Sequence, residues 1–183
     1  MRELSLNVLD IAENSVKAGA TLVHILLEET ADTLSLEIRD NGCGMTPEFL
    51  AQVTDPFCTS RTTRKVGLGI PLLLLAARQT GGDVEIVSRT VEADPVNHGT
   101  STKALFYKNH IDFTPLGDIT ETICTLIQCN PQMDFEYKHT TSSGEVVLST
   151  REMREMLGDV PLNTYEVIVW IREYIKEQYN AFI

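Results

Sequence analysis

The chain changes the period of its apolar residues several times, and each period predicts an element of secondary structure. Leu4, Val8 and Ile11 recur at helical spacing and predict an amphipathic helix over residues 4–18. Apolar and polar residues alternate over residues 34–40, which predicts a strand with one buried face and one wet face. By the same criteria we expect strands at residues 21–29, 84–91 and 100–108, a short helix from Pro47, and a helix over residues 67–79.

The order of these elements indicates the architecture of the first 109 residues. A helix, two strands, a helix, a loop, a helix and two strands follow one another. In such an order the helices cover one face of a mixed, largely antiparallel sheet. The sequence therefore predicts a two-layer α/β sandwich.

The rest of the chain predicts a small α+β appendage. Residues 115–117 (Pro-Leu-Gly) mark a boundary, after which Asp118 and Glu121 have the spacing of a capping box for a helix that ends near residue 128. Residues 133–139 and 145–149 predict a hairpin, and residues 151–157 a short helix. We divide the chain into domains at residues 1–109 and 117–183, and the second is a candidate module for docking a partner protein.

A last helix is predicted near the end of the chain. Asn163 and Glu166 have the spacing of its cap. We expect one apolar stripe of this helix to pack inward: Val167, Trp170, Ile171, Tyr174 and Ile175.

Charge narrows the range of partners. With 15 basic and 26 acidic residues the net charge is −11, of which −4 lies up to Asn109 (10 basic, 14 acidic) and −7 after it (5 basic, 12 acidic). Such a surface repels phosphodiester backbones, which argues against nucleic acid as a partner. The N-terminus lacks the apolar stretch of a signal peptide, and the longest apolar run, residues 71–77, is far shorter than the ~20 residues of a membrane helix. We expect a cytoplasmic protein without a membrane contact.

The four cysteines are most simply free thiols, as is usual in a reducing compartment. Cys124 and Cys129 have no neighbouring cluster of Cys or His, so we expect both at buried helix positions rather than at a metal site.

Three polar residues share one face of the first helix. Asp10, Asn14 and Lys17 are spaced i, i+4 and i+7, opposite the apolar stripe. A carboxylate, an amide oxygen and an ammonium group on one face could hold Mg²⁺ and its phosphates. A solvated helix face would show the same pattern, so this helix alone leaves both interpretations open.

Two glycine-rich turns follow. Asp40-Asn41-Gly42-Cys43-Gly44-Met45 comes directly after a strand, where the glycines allow a sharp turn and the aspartate could accept a hydrogen bond from an amine such as that of adenine. Lys65-Val66-Gly67-Leu68-Gly69-Ile70 opens a helix, whose free amides and lysine would favour an anion. Neither turn is a Walker A loop or a Rossmann fingerprint, and a plain turn explains the first equally well.

Taken in order, these segments resemble the motifs of the GHKL superfamily: sensor histidine kinases, type II topoisomerases, mismatch-repair ATPases and an ATP-driven chaperone. Residues 10–20 resemble its N-box, residues 40–45 and 67–70 its two glycine boxes, residues 55–57 (Asp-Pro-Phe) its F-box, and Gly99-Thr100 its terminal Gly-Thr. The resemblance covers about residues 1–109 and implies ATP and Mg²⁺ as ligands.

The resemblance also implies roles for individual residues. Asn14 would coordinate Mg²⁺ and Lys17 would touch phosphate. Asp40 would bind the adenine amine, supported by Thr100 through water, with Gly42, Gly44 and Met45 lining the base. Residues 54–66, including Arg61, would form a mobile lid over the nucleotide. The phosphates would be wrapped by Arg64, Lys65, Gly67, Leu68 and Gly69.

Departures from the family leave the reaction open. The position of Asp10, our candidate catalytic residue, is a glutamate in the gyrase and mismatch-repair branches, and aspartate is one methylene shorter. No histidine matches the family's phosphoacceptor segment, so a phosphoacceptor would lie on another protein. The chain is thus either a regulatory kinase, similar to the anti-sigma serine kinases, that phosphorylates a partner in trans, or a nucleotide-switched binding module with slow or no turnover. The sequence is also compatible with a homodimer.

Overall fold

The computed structural model describes residues 3–54 and 68–182. Each predicted element is present there, with ends that differ by no more than a few residues. The helices are α1 (Leu4–Lys17), α2 (Pro47–Thr54), α3 (Gly69–Gln79), α4 (Ile119–Cys129), α5 (Thr150–Leu157) and α6 (Tyr165–Asn180). The strands are β1 (Leu22–Glu29), β2 (Thr33–Asp40), β3 (Val84–Arg89), β4 (Gly99–Tyr107), β5 (Asp134–Thr141) and β6 (Gly144–Ser149).

These strands form one mixed sheet in the order β3-β4-β2-β1-β5-β6. The β1 and β5 strands are parallel, and the other neighbouring strands are antiparallel. The predicted two-layer α/β sandwich with a largely antiparallel sheet is therefore confirmed.

One row of cross-strand neighbours passes through the whole sheet. Its members are Ile86, Thr102, Ile38, Ile25, Tyr137 and Leu148, one from each strand. Ile86 is half-buried and the other five are buried. Since apolar burial is the main favourable term in folding, this row ties the strands of both parts of the chain into one core.

The C-terminal hairpin thus extends the sheet of the first region, a pairing that the sequence did not predict. Strands β4 and β5 run in the same direction, because each follows the direction of β1, so the chain must cross the sheet between them. Helix α4 makes this crossover and packs against α1 and α6. The division of the chain into two domains stays a prediction, and the sheet crosses its boundary.

The predicted N-terminal cap is confirmed in part for α4 and is wrong for α6. The Asp118 side chain accepts a hydrogen bond from the Glu121 amide at 2.9 Å, as predicted. The reciprocal half of the capping box is absent, because the Asp118 amide donates to Glu3 while the Glu121 carboxylate pairs with Arg172. For α6 the predicted cap is wrong, since its N-cap residue is Thr164, without a side-chain cap bond.

Two burial predictions are half right. Val167, Ile171 and Ile175 pack inward as expected, but Trp170 is 47% exposed. Cys124 is buried and Cys129 is exposed, because the latter is the last residue of α4. Neither Trp170 nor Cys129 is therefore part of the core.

Candidate functional site

The Asp40 carboxylate, at the end of β2, is the centre of a hydrogen-bonded cluster. Its Oδ1 accepts from the Gly42 amide at 2.9 Å and from the Thr100 amide at 3.3 Å. Its Oδ2 accepts from the Ser15 hydroxyl of α1 at 2.6 Å. The adjacent turn and two elements that are distant in sequence, α1 and β4, therefore fix the orientation of one carboxylate.

Two glycines in and beside the Asp40 turn permit backbone contacts that a larger residue would prevent. Gly44 has a φ of 72°, and a Cβ there would lie 1.9 Å from the Arg89 carbonyl oxygen. Gly99 has a φ of 124°, and a Cβ there would lie 1.9 Å from the Asp40 carbonyl oxygen. Since positive φ is costly for other residues, both positions require glycine on conformational and steric grounds.

A second group of hydrogen bonds joins the turn to β3 and β4. The Ser88 hydroxyl lies 2.8 Å from the Thr100 hydroxyl and accepts from the Met45 amide at 2.8 Å. Met45 packs against the core. The Thr100 amide reaches Asp40 directly, whereas its hydroxyl is engaged by Ser88.

Helix α1 connects this turn to the start of α3. At its C-terminal end the Ala18 carbonyl accepts from the Cys43 amide at 2.9 Å. Nearer its middle, Gly69 lies against Asp10, so closely that a Cβ on Gly69 would come within 3.1 Å of the Asp10 Cβ. Leu68, the N-cap residue of α3, supplies no side-chain cap and is exposed. The Asp40 turn and the described part of the second glycine segment, which begins at Leu68, therefore both contact one helix.

On the polar face of α1, two side chains have few partners among the described residues. Asn14 is half-buried, and its side chain forms no hydrogen bond with another described residue. Lys17 is 69% exposed, and its Nζ lies 3.8 Å from Glu13 Oε2. An ion pair so exposed contributes little to stability, so this lysine can change partners at low cost.

Asp10, the first member of this face, has a pKa above its ordinary value. Burial is the main cause, and the nearby Glu13 adds to it, while Lys17 acts in the opposite direction. Burial raises the pKa because it disfavours the charged carboxylate.

Several predicted residues lie outside the described residues. They are Arg61, Arg64, Lys65 and Gly67, together with the Asp-Pro-Phe segment at 55–57 and nearly all of the predicted lid. Of the second glycine segment, Leu68 and Gly69 are described.

The structure adds three polar residues that the sequence analysis missed. Ser15 and Ser88 hold Asp40 and Met45, and His98 Nδ1 lies 2.7 Å from the Gly42 carbonyl oxygen, to which it can donate. Ser15 had a sequence signal, because it is a polar residue next to the apolar stripe of α1, and buried polar groups need partners. Ser88 follows Ile86 on the inner face of an alternating strand, which is a similar signal.

The described residues contain neither a metal-binding cluster nor a membrane-spanning helix. No group of three or more His, Cys, Asp or Glu side chains there could hold a metal ion. None of the helices in the same part of the chain is long and apolar enough to cross a bilayer.

The chain matches a known protein family, and its structure is similar to solved structures. The family model described as "Histidine kinase-, DNA gyrase B-, and HSP90-like ATPase" matches residues 2–111, which is 110 of the 183 residues. The structure is similar to that of the Aquifex aeolicus MutL ATPase domain complexed with ADP, with a TM-score of 0.55 at 15% identity. That match covers 86% of this chain and 69% of the MutL chain, so it includes part of the chain after residue 111.

Curated relatives are similar over shorter segments. The chain is 33% identical to the tetrathionate sensor histidine kinase TtrS of Salmonella typhimurium over 81 residues, which cover 44% of this chain and 14% of the kinase. It is 30% identical to the DNA mismatch repair protein MutL of Bartonella tribocorum over 91 residues, which cover 48% of this chain and 15% of MutL. The chain thus spans a small part of both relatives. It belongs to the histidine kinase-, DNA gyrase B- and HSP90-like ATPase family, and this membership implies that it binds ATP.

Proposed function

We propose that this chain binds Mg-ATP between α1, α3 and the Asp40 turn, and transfers the γ-phosphoryl group to a partner protein. The observation that carries the proposal is the Asp40 carboxylate. A carboxylate has about four acceptor positions. Three of them are occupied by Gly42, Thr100 and Ser15, which leaves one on Oδ2 for the adenine amine.

The glycine turn supports the adenine assignment. Gly42 is as constrained as the two positive-φ glycines, because a Cβ there would lie 2.8 Å from the Ala18 Cβ and 3.0 Å from Asp40 Oδ1. A turn without side chains lets a flat ring approach the backbone closely. Gly42, Gly44 and Met45 would line the base, and Thr100 would hold Asp40 in position.

The start of α3 supports the phosphate assignment. The first amides of a helix have no intrahelical partner and favour an anion. Leu68 leaves them without a side-chain cap, and Gly69 brings them beside the polar face of α1. Lys17 would contact phosphate from α1. We assign the same role to Arg64, Lys65 and Gly67 on the family resemblance.

Magnesium fits the donors that are present. Mg²⁺ prefers oxygen ligands and is commonly held by one or two protein groups and the substrate phosphates. Asn14 offers a half-buried amide oxygen that no described residue engages. When bound, the ion would neutralise charge that develops on the phosphates, while Asn14 and Lys17 hold that end of the nucleotide in place.

Transfer to a partner needs little further chemistry from this chain. The acceptor side chain forms a bond to the γ-phosphorus and loses its proton, while the bond to the β-phosphate oxygen breaks and ADP leaves with the electron pair. Positioning accounts for most of the catalysis in such reactions. We propose Asp10 as the proton acceptor, because it lies beside the phosphate end and burial raises its pKa.

The test uses ATP labelled at the γ-phosphate, with the purified chain and a lysate of its source. We expect label on a second protein, dependent on Mg²⁺ and lost in Asp40→Asn. Asp134→Asn, a carboxylate paired with Arg154 on the C-terminal side, is the matched control and should retain transfer. Binding of ATP without label on any protein would instead indicate a nucleotide-switched module.

A further inference from the structure

An apolar groove lies between α5 and α6, at the end of the sheet opposite β3. Met153, Met156 and Leu157 line it from α5, and Glu166, Val167 and Trp170 line it from α6. Its volume is about 340 Å³. Met156 is 73% exposed and Trp170 is 47% exposed, although methionine and tryptophan side chains gain free energy by burial.

The three arginines of these two helices pair with carboxylates of other elements, none of which lines the groove. Arg151 pairs with Glu136 and Arg154 with Asp134, both on β5. Arg172 pairs with Glu121 of α4. Lys176 also lies near Glu121, since it contributes, after Arg172, to the lowered pKa of that carboxyl.

Glu166 is the one carboxylate among the residues that line the groove, and further glutamates lie on the same two helices. Along α6, Glu166, Trp170, Glu173 and Glu177 are spaced i, i+4, i+7 and i+11, so they share one stripe. Glu152 flanks Met156 on α5. All four glutamates are exposed, and none of them forms an ion pair within the part of the chain that the structure describes.

We infer that this groove docks a basic amphipathic helix of a partner protein. Large apolar residues at i, i+3 or i+4, and i+7 of such a helix would contact Met156 and Trp170, in the common helix-in-groove mode. Its Lys and Arg side chains would pair with Glu152, Glu166, Glu173 and Glu177. Complementary charge of this kind sets the orientation of the partner and speeds association.

Other occupants fit the charges less well. In a symmetric dimer formed through this face, the glutamate stripe of one copy would approach that of the other. An anionic membrane surface or a nucleic acid would be repelled by the same carboxylates. The groove is lined by α5 and α6, whereas the proposed nucleotide site lies between α1, α3 and the Asp40 turn, so the two can be tested separately.

Trp170 is the only tryptophan of the sequence and therefore reports on the groove by its fluorescence. The probe is a tryptophan-free peptide of roughly 15 residues, long enough to form a helix on binding, with leucine on one face and lysine elsewhere. We expect a saturable 1:1 blue shift of the Trp170 emission. The same peptide with glutamate in place of lysine should cause no shift.

Variants separate docking from unspecific attraction between opposite charges. Met156→Ser removes an exposed apolar contact, and Glu166→Gln with Glu173→Gln removes two charges. Each should weaken binding by about tenfold, a usual effect for a central interface residue. The matched controls are Val96→Ser for the apolar change, and Glu85→Gln with Glu92→Gln for the charges. Both controls are exposed, lie in or after β3, and should bind as the wild type does.

Three results would overturn the inference. The first is equal affinity of the peptide for the wild type, Met156→Ser and the groove charge variant. The second is a dimer of the wild type in sedimentation that Met156→Ser dissociates. The third is a Trp170 blue shift on anionic vesicles with none on the peptide.

Discussion

The Asp40 carboxylate of the first region and three carboxylates of the C-terminal region have different kinds of partners. Around Asp40, three donors converge on one carboxylate and leave part of it open to a ligand. In the C-terminal region, the carboxylates of Asp134, Glu136 and Glu121 are each paired with an arginine. The first arrangement leaves one acceptor position of Asp40 for the ligand that we propose, whereas the second joins elements of the fold by ion pairs.

Three glycines of the two regions differ in how closely the surrounding atoms approach them. Gly44 and Gly99 combine a positive φ with backbone contacts that exclude a Cβ, and Gly158, after α5, has a positive φ of 57° but no atom within 4 Å of its would-be Cβ. A side chain at Gly44 or Gly99 would thus meet backbone atoms in addition to conformational strain, whereas a side chain at Gly158 would meet conformational strain alone.

The largest expected effect separates these two kinds of glycine. Gly99→Ala should destabilise the protein by about 3 kcal/mol or more, because backbone strain adds to a clash with the Asp40 carbonyl oxygen. Gly158→Ala should cost about 1–2 kcal/mol, from strain alone. Urea unfolding of both variants measures the difference. Equal losses would show that the close packing at Gly99 contributes nothing.

Next in size is the effect of neutralising one carboxylate in each region. Asp40→Asn should weaken ATP binding by about 1.5–3 kcal/mol. The amide nitrogen that replaces one carboxylate oxygen can donate a hydrogen bond but cannot accept one from the adenine amine. Asp134→Asn should lower stability and leave ATP affinity unchanged. Calorimetric titration of both variants is the measurement. Wild-type affinity in Asp40→Asn would remove the adenine assignment.

A smaller effect concerns a buried polar group of the C-terminal region. His139 is 3% exposed, and its Nδ1 lies 2.8 Å from the Tyr179 hydroxyl. Its Nε2 lies 3.3 Å from Glu29 Oε2, but this second contact is too poorly aligned for a hydrogen bond. Burial lowers the pKa of His139 and outweighs Glu29, which would raise it. The folded state disfavours the protonated ring of His139. The contribution of neutral His139 to the free energy of unfolding is therefore complete above about pH 6.5, and it is lost as the pH falls through the lowered pKa.

We therefore expect the free energy of unfolding to fall on acidification below about pH 6.5. One proton limits the slope to about 1.4 kcal/mol per pH unit. His139→Gln, which can still bond Tyr179, should reduce this slope, and His110→Gln at an exposed position should not. Urea titrations between about pH 7.5 and pH 5 measure it. A wild-type slope in His139→Gln would contradict the assignment.

The smallest expected effect concerns Asp10, in the nucleotide-binding region. The pKa of Asp10 is raised in the folded state, so its contribution to stability is lost as the pH rises through that pKa. Asp10→Asn should therefore raise the melting temperature slightly at neutral pH, with no difference below about pH 4. ATP affinity should not change, whereas phosphoryl transfer should slow. Unchanged transfer in this variant would show that Asp10 accepts no proton.

Local rules predicted most of the fold. The periods of α1 and β2 and the Asp118 cap were visible because they depend on residues close in sequence. Parallel pairing of β5 with β1 was not, since it joins residues more than 100 positions apart and no local pattern encodes it. Among site residues, Asp40 and the glycines had a signature, whereas Ser15 and Ser88 act through contacts that only the fold creates.

The proposed function depends most on one proposed contact, a hydrogen bond from the exocyclic amine of adenine to the Asp40 carboxylate. Calorimetric titration with Mg-ATP and, in parallel, with Mg-inosine triphosphate tests it directly, because inosine carries a carbonyl oxygen in place of that amine. We predict saturable 1:1 binding of ATP and an affinity for inosine triphosphate at least about tenfold lower, since its oxygen would face the carboxylate. Equal affinities, or no binding of ATP, would contradict the account.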